Sequence, residues 1–217
     1  MIESVEDFRN RLMDIDTLVA YASANKKAIH KYQLFNKTAI ILLCSHFEVF
    51  VEAFIAEHVD VMKICYRSDS LPQYMKDNYV NDTIKSLKDR PEPSRKQKPL
   101  KALFRLHNGQ SLEMNSIMDL VLDMKYAFGK HGQEETEKLF KKFGFKSFVD
   151  SPGFQDNFKM INSAINIRNN IIHEGSAPTL SIDDLKKYKN VFLSFADSLE
   201  QFVLSCQVTL YDKIYYV

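Results

Sequence analysis

The chain has 217 residues, 45% of them hydrophobic and 26% charged, with a formal net charge of +1. That is enough apolar material for one substantial core or two small ones, and it gives no global electrostatic case for nucleic-acid binding, which would have to rest on local patches. With only 6 Gly and 6 Pro the chain has few turns, so long elements and an all-α fold are expected.

Met1-Ile2-Glu3-Ser4 lacks the basic-then-apolar order of a secretory signal. Ser4 with Asp7 resembles a capping box with Asp in place of Glu and opens a first helix running to about Asn25. Val5, Phe8, Leu12, Ile15, Leu18 and Val19 lie on its apolar side. Lys26 and Lys27 suit a helix end or a short break. The longest periodic segment follows, roughly Tyr32 to Tyr66. Leu43, Phe47, Phe50, Val51 and Phe54 form one stripe. Ile41, Ile55 and Val59 form a second, within which Glu48 and Glu52 fall. A helix apolar on nearly two faces belongs at the centre of a bundle, or between the bundle and another subunit. The most apolar run, Ala39 to Cys44, is too short to span a bilayer. The expectation is a soluble, cytoplasmic protein with no membrane partner.

Ser68-Asp69-Ser70-Leu71-Pro72 is a break, and a helix is expected from Pro72 to Asp89. Arg90 to Pro99, rich in proline and basic residues, reads as an exposed loop. Arg95, Lys96, Lys98, Lys101 and Arg105, with Phe104 and His107 nearby, could track an RNA backbone; a solvated loop is the plainer reading. A short helix at Leu100–His107, a helix at Ser111–Phe128 and another short one at Glu134–Phe143 follow, with Gly129-Lys130-His131-Gly132 breaking the second from the third. Gly144 to Gly153 reads as a loop that Phe145, Phe148 and Val149 pin to the core. A helix from Phe154 to His173, a loop from Gly175 to Leu180, and a long helix capped by Ser181 and Asp184 complete the order. That helix runs to about Leu210, leaving Tyr211–Val217 as a short strand or frayed tail. No internal repeat is found, and the whole reads as one domain, 1–217, with an insertion at roughly 68–150.

Cys44, Cys65 and Cys206 are odd in number and widely spaced, and none stands in a C-x-x-C pair. Buried free thiols in a reducing compartment are expected, with no metal site and no cofactor. His58 falls on the apolar side of its helix, as a core residue would. Cys44-Ser45-His46 cannot act as a nucleophile and base, because sequence neighbours on a helix point apart. There is no Gly-rich phosphate loop.

The most informative stretch is Ile161 to Gly175. At about 100° per residue, Ile161, Ala164, Ile165, Ile171 and Ile172 share an apolar face, and Arg168 lies near its middle. A buried charge is costly unless paired, so a carboxylate such as Glu48 or Glu52, a partner subunit or a bound anion must compensate Arg168. Asn162, Asn166, Asn169 and His173 lie on a different face. Gly175 supplies a stop.

Arg168-Asn169-Asn170-Ile171-Ile172-His173 resembles the R-x4–6-H signature of HEPN domains, with Asn169 at the polar position after the arginine. Ile40 to Glu52 is similar to the long N-terminal helix of RiboL-PSP-type HEPN nucleases. The resemblance implies an HEPN-like helical bundle with long central helices and an inserted helical or loop region. It implies a metal-independent endoribonuclease acting as a homodimer, a toxin or phage-defence effector with an antitoxin or defence-system partner. Arg168, His173 and Asn169 would be its catalytic residues and Glu48 and Glu52 a supporting acid or arginine partner. The chemistry is compatible: RNA carries its own 2′-OH nucleophile, histidine can move its proton near neutral pH, and arginine offers a bidentate fork to phosphate. The alternative is a non-catalytic HEPN-like module that binds RNA or protein. The wheel adds a condition. Five residues apart on an ideal helix, Arg168 and His173 point about 140° from one another, so either the helix end distorts or a second subunit completes the site.

Overall fold

The computed structural model describes residues 2–65, 72–88, 100–101, 103–105, 132–174 and 179–215, and every element among them is helical. Helix α1, Glu3–Ala24, buries Val5, Phe8, Leu12 and Ile15 at the three- and four-residue spacing of an amphipathic helix. Its start differs from the expected Ser4–Asp7 box. Ile2 occupies the cap position and supplies no side-chain cap. Glu57, from the next helix, instead accepts the backbone N–H groups of Glu3 (3.0 Å) and Ser4 (2.9 Å). Ser4 already lies inside the first turn, and its buried hydroxyl has no hydrogen-bond partner among the described residues. Farther along α1, Arg9 reaches Asp197 and Glu200 on the last helix, each at 2.7 Å.

Helix α2, Ile29–Cys65, spans 37 residues. Leu43, Phe47, Phe50, Val51 and Phe54 are all buried, as are Ile55 and Val59, so both apolar stripes are used. By length and composition the Ile29–Met62 portion is apolar enough to cross a bilayer, which the short run Ala39–Cys44 alone does not suggest; 56% of its most apolar window is buried within the fold. It packs most extensively against α1 and the later helices Pro152–Asn169 and Ile182–Tyr215.

Helices α3 (Gln73–Lys88), α4 (Gln133–Lys142) and the short α5 (Lys146–Val149) come from the region expected as an insertion. Their Met75, Tyr79, Phe140, Phe143, Phe145, Phe148 and Val149 join the same core. Buried Asp82 on α3 accepts from Lys142 on α4 at 2.9 Å, and Asn78 donates to the Lys142 carbonyl. Gly144, at φ +91°, turns the chain after α4; a Cβ there would stand 2.9 Å from the Tyr74 ring.

Where the sequence suggests a loop from Gly144 to Gly153, the chain forms α5 and then begins α6 (Pro152–Asn169). Phe145, Phe148 and Val149 are themselves spaced as a helical stripe. Ser151 caps α6 by accepting from the Phe154 N–H at 3.3 Å, with Pro152 in the first turn, where its missing donor costs nothing.

Helix α7 runs Ile182–Tyr215, so residues 211–215 are helical rather than a strand or frayed tail. Its start is the expected box: Ser181 Oγ accepts from the Asp184 N–H (3.1 Å), and Asp184 accepts from the Ser181 N–H (3.0 Å). The Ser181 hydroxyl, which donates to the Asp184 carboxylate at 2.7 Å, and then the Ser181 N–H hold that carboxyl below its usual range. The preceding segment is tied to α2 by Asn36, which donates to the Leu180 carbonyl at 2.7 Å, and by the Tyr32 hydroxyl, which accepts from the Ile182 N–H.

The centre is aromatic. Phe47 meets Phe192 and Phe195 edge-on, with centroids 4.9 and 5.3 Å apart. Phe195 also touches Phe140, Phe148, Phe154 and Phe158. Such edge-to-face pairs favour one arrangement over many, and here they lock α2, α4, α5, α6 and α7 around one point. Cys44 is buried, whereas Cys206 is exposed rather than buried.

Candidate functional site

The site begins where α6 stops being an α-helix. Ile161, Ala164 and Ile165 are buried, as the wheel predicts. After Asn169 the chain makes a π-helical turn, Asn170–Glu174, in which hydrogen bonds run over five residues rather than four. Each residue of such a turn advances by less than the α-helical step, so the apolar face does not continue: Ile171 is half-buried and Ile172 is 47% exposed. The same change closes part of the angle of about 140° that a straight helix would leave between Arg168 and His173. Of the two conditions set by the sequence, a distorted helix end is therefore met within one chain.

Arg168 is half-buried, and its Nη1 donates to Asn169 Oδ1 at 3.0 Å. Among the described residues no carboxylate forms an ion pair with it, so the expected pairing with Glu48 or Glu52 is not made. Glu48 is half-buried and close enough for its charge to be felt at Cys44, as Arg168's is. Burial pushes that thiol up to about 12; Arg168 works against the rise and Glu48 adds to it. Cys44 is thus a neutral core thiol beside the site, not a nucleophile. Glu52 is largely exposed, its carboxyl raised first by partial desolvation and then by Glu48. His173 is exposed on the π turn, and among the described residues none holds its ring.

The asparagine face of α6 lines a cleft of about 530 Å³ with the start of α4. Asn162 accepts the Gln133 N–H and donates to Gln133 Oε1, both at 3.2 Å. Gln133 and Gln155 donate to Glu137 Oε1 at 2.8 and 3.3 Å. Partial burial works to raise the Glu137 carboxyl, but bonds from Gln133, Gln155 and Lys141 outweigh it and hold it low. Gly132, at φ +44°, carries the chain into α4; a Cβ there would lie 2.6 Å from Asn162 Oδ1. Asn166 is exposed, and Asn169, which also lines the cleft, joins it to Arg168. Reasoning from the sequence singles out the asparagines but not Gly132, Gln133, Glu134 or Glu137. The one signal they carry is a glycine break followed by an acidic first turn, which reads equally well as a simple helix start.

Of the basic candidates, Lys101 and Arg105 are exposed on a helical segment, with Phe104 between them 66% exposed. Arg95, Lys96 and Lys98 lie outside the described residues. Among the described residues no three His, Cys, Asp or Glu side chains cluster as metal ligands would.

The arrangement offers a guanidinium held by an amide and without an ion pair among the described residues, a histidine on the adjoining turn, and a polar cleft sharing that amide. The family model described as RiboL-PSP-HEPN matches residues 6–205. No curated protein and no solved structure matches the chain.

Proposed function

The chain belongs to the RiboL-PSP-HEPN family, and from that premise we propose that it is a metal-independent endoribonuclease. In this reading the RNA 2′-oxygen attacks the adjacent phosphorus, the bond to the 5′-oxygen breaks, and a 2′,3′-cyclic phosphate remains. His173 takes the 2′-OH proton or returns one to the leaving 5′-oxygen. Arg168 clamps the phosphate oxygens as charge builds on them, and Asn169 positions its fork. Two copies of the chain meet at the motif turns, which would give His173 an orienting neighbour and cover Ile172. The reading extends to a cytoplasmic toxin or phage-defence effector, held in check by an antitoxin or another defence-system protein.

The observation that carries the proposal is the state of Arg168: half-withdrawn from water, bonded to a neutral amide, and without a carboxylate partner among the described residues. A structural arginine in that position would be expected to have found one. A second reading, a non-catalytic module that binds RNA or protein, draws on the lack of a described residue holding the His173 ring, since a general base is normally oriented by a neighbour.

The test is cleavage of a mixed RNA pool in EDTA by the full chain, by Arg168→Ala and by His173→Ala, with end-group analysis of the products. The expected result is cyclic phosphate ends from the wild type and a loss of at least about a hundredfold in each variant. Activity that survives both substitutions sinks the site assignment. Failure of the wild type to cut any RNA favours the binding module.

A further inference from the structure

We propose that the cleft between α4 and α6 is a base-recognition pocket that takes a guanine of single-stranded RNA beside the phosphate held by Arg168. This rests on the RNA-directed reading above and names what that site would select.

Position is the first argument. Asn169 lines the cleft while its side-chain oxygen holds Arg168, so the cleft opens next to the phosphate clamp. In the proposal, the nucleotide contributing that phosphate turns its base into this opening.

Lining chemistry is the second. Among the described residues that line the cleft there are amides and carboxylates and no lysine or arginine. Such a surface repels phosphate and accepts N–H donors, since an ionised carboxylate is acceptor-only. Unpaired RNA bases are read in this way, on their Watson–Crick edges. Guanine presents two adjacent donors there, N1–H and the N2 amine, matching the two oxygens of one carboxylate. Adenine and cytosine each present an amine beside a ring-nitrogen acceptor, and uracil flanks its single N–H with carbonyls that a carboxylate repels.

The third argument is which groups are already spent. Gln133, Asn162 and Glu137 are bonded into a fixed wall. Glu134 and Asn166 also line the cleft and make no hydrogen bond among the described residues, so a carboxylate and an amide remain for a ligand. Glu134 takes the donor pair, and Asn166 donates to the guanine O6. Ile165 offers an apolar contact for the ring, and Gly132 leaves the wall without a side chain where a Cβ would collide with Asn162. At about 530 Å³ the space falls in the range of small-ligand sites.

The experiment uses 2′-O-methyl RNA trinucleotides that differ only at the central base, binding the full-length chain in a fluorescence-anisotropy titration. Blocking the 2′-oxygen prevents cleavage, so binding is read apart from catalysis. Guanine is expected to bind about tenfold more tightly than adenine, cytosine or uracil, as for a good bidentate base contact. Hypoxanthine, which lacks the N2 amine, should lose most of that gain, and Glu134→Gln and Asn166→Ala should each reduce it. Equal binding of all bases, no binding, or a guanine preference untouched by Glu134→Gln overturns the pocket. If the wild type cleaves RNA yet shows no base preference, the pocket fails and the nuclease reading stands. Guanine-selective binding without cleavage leaves the pocket standing in a binding module.

Discussion

A guanidinium half-removed from water with no ion pair to a carboxylate keeps its charge available, and among the described residues Arg168 is in that state. Its neighbour Asn169 accepts one N–H and leaves the others directed elsewhere. If the fork matters, as a bidentate phosphate contact requires, then Arg168→Lys keeps the charge but loses the geometry. Single-turnover cleavage should fall about tenfold or more for the lysine variant and about 10²–10³-fold for alanine. Asn169→Ala should slow the cleavage step more than it weakens RNA binding, because it disturbs aim rather than charge. A lysine variant that cuts at the wild-type rate would show that only the charge is used. The oddity of Arg168 was legible in the sequence, since it sits among isoleucines at helical spacing. Its lack of an ion pair was not, because Glu48 and Glu52 stand on another helix, and a linear pattern cannot say how two helices rotate against each other.

At the scale of elements, the helices whose apolar stripes hold to one period were the easiest to read. The π turn was not legible, because a wheel assumes one step per residue throughout and so puts Ile171 and Ile172 with the core. Capping shows the same divide. Ser181 and Asp184 satisfy each other within one turn, so the local pattern suffices. Ser4 and Asp7 carry a similar pattern, but Glu57, remote in sequence, takes the donors instead. The two sites should respond differently. Ser181→Ala is expected to cost about 1 kcal/mol, lowering the melting temperature by about 2–4 °C for a chain of this size without altering the Arg168 environment. Ser4→Ala removes a buried hydroxyl that has no partner among the described residues and should cost nothing or stabilise slightly. Calorimetry of the two variants decides; equal losses would mean that Ser4 caps α1 after all.

For the molecule as a whole, the region expected as an insertion contributes to the same core as the long helices, and this has a consequence in acid. His58 on α2 packs against Phe145, with ring centroids 4.6 Å apart, and its Nε2 lies 3.4 Å from the Tyr74 hydroxyl. Burial drives its pKa down to about 4, although a hydrogen bond with the Phe143 backbone resists the shift. The folded chain therefore keeps this ring neutral where the unfolded chain, with its ordinary value of 6.5, binds a proton. Because the unfolded state binds more protons between these two values, stability falls as pH drops. The contribution is intact above pH 6.5 and lost progressively toward pH 4, with about 2 kcal/mol gone by pH 5 and about 3 kcal/mol at the limit. Buried His46, 3.3 Å from Asp14, is also lowered, first by burial and against the pull of that carboxylate, so part of any acid slope belongs to it. Comparing wild type with His58→Phe isolates the His58 share. A phenyl ring can stack on Phe145 but cannot titrate, so urea unfolding at pH 7.5 and pH 5 should show a smaller acid loss in the variant. Equal losses in both proteins would mean that the junction of α2, α3 and the turn before α5 opens to water before the fold gives way, and that His58 titrates at its ordinary value there.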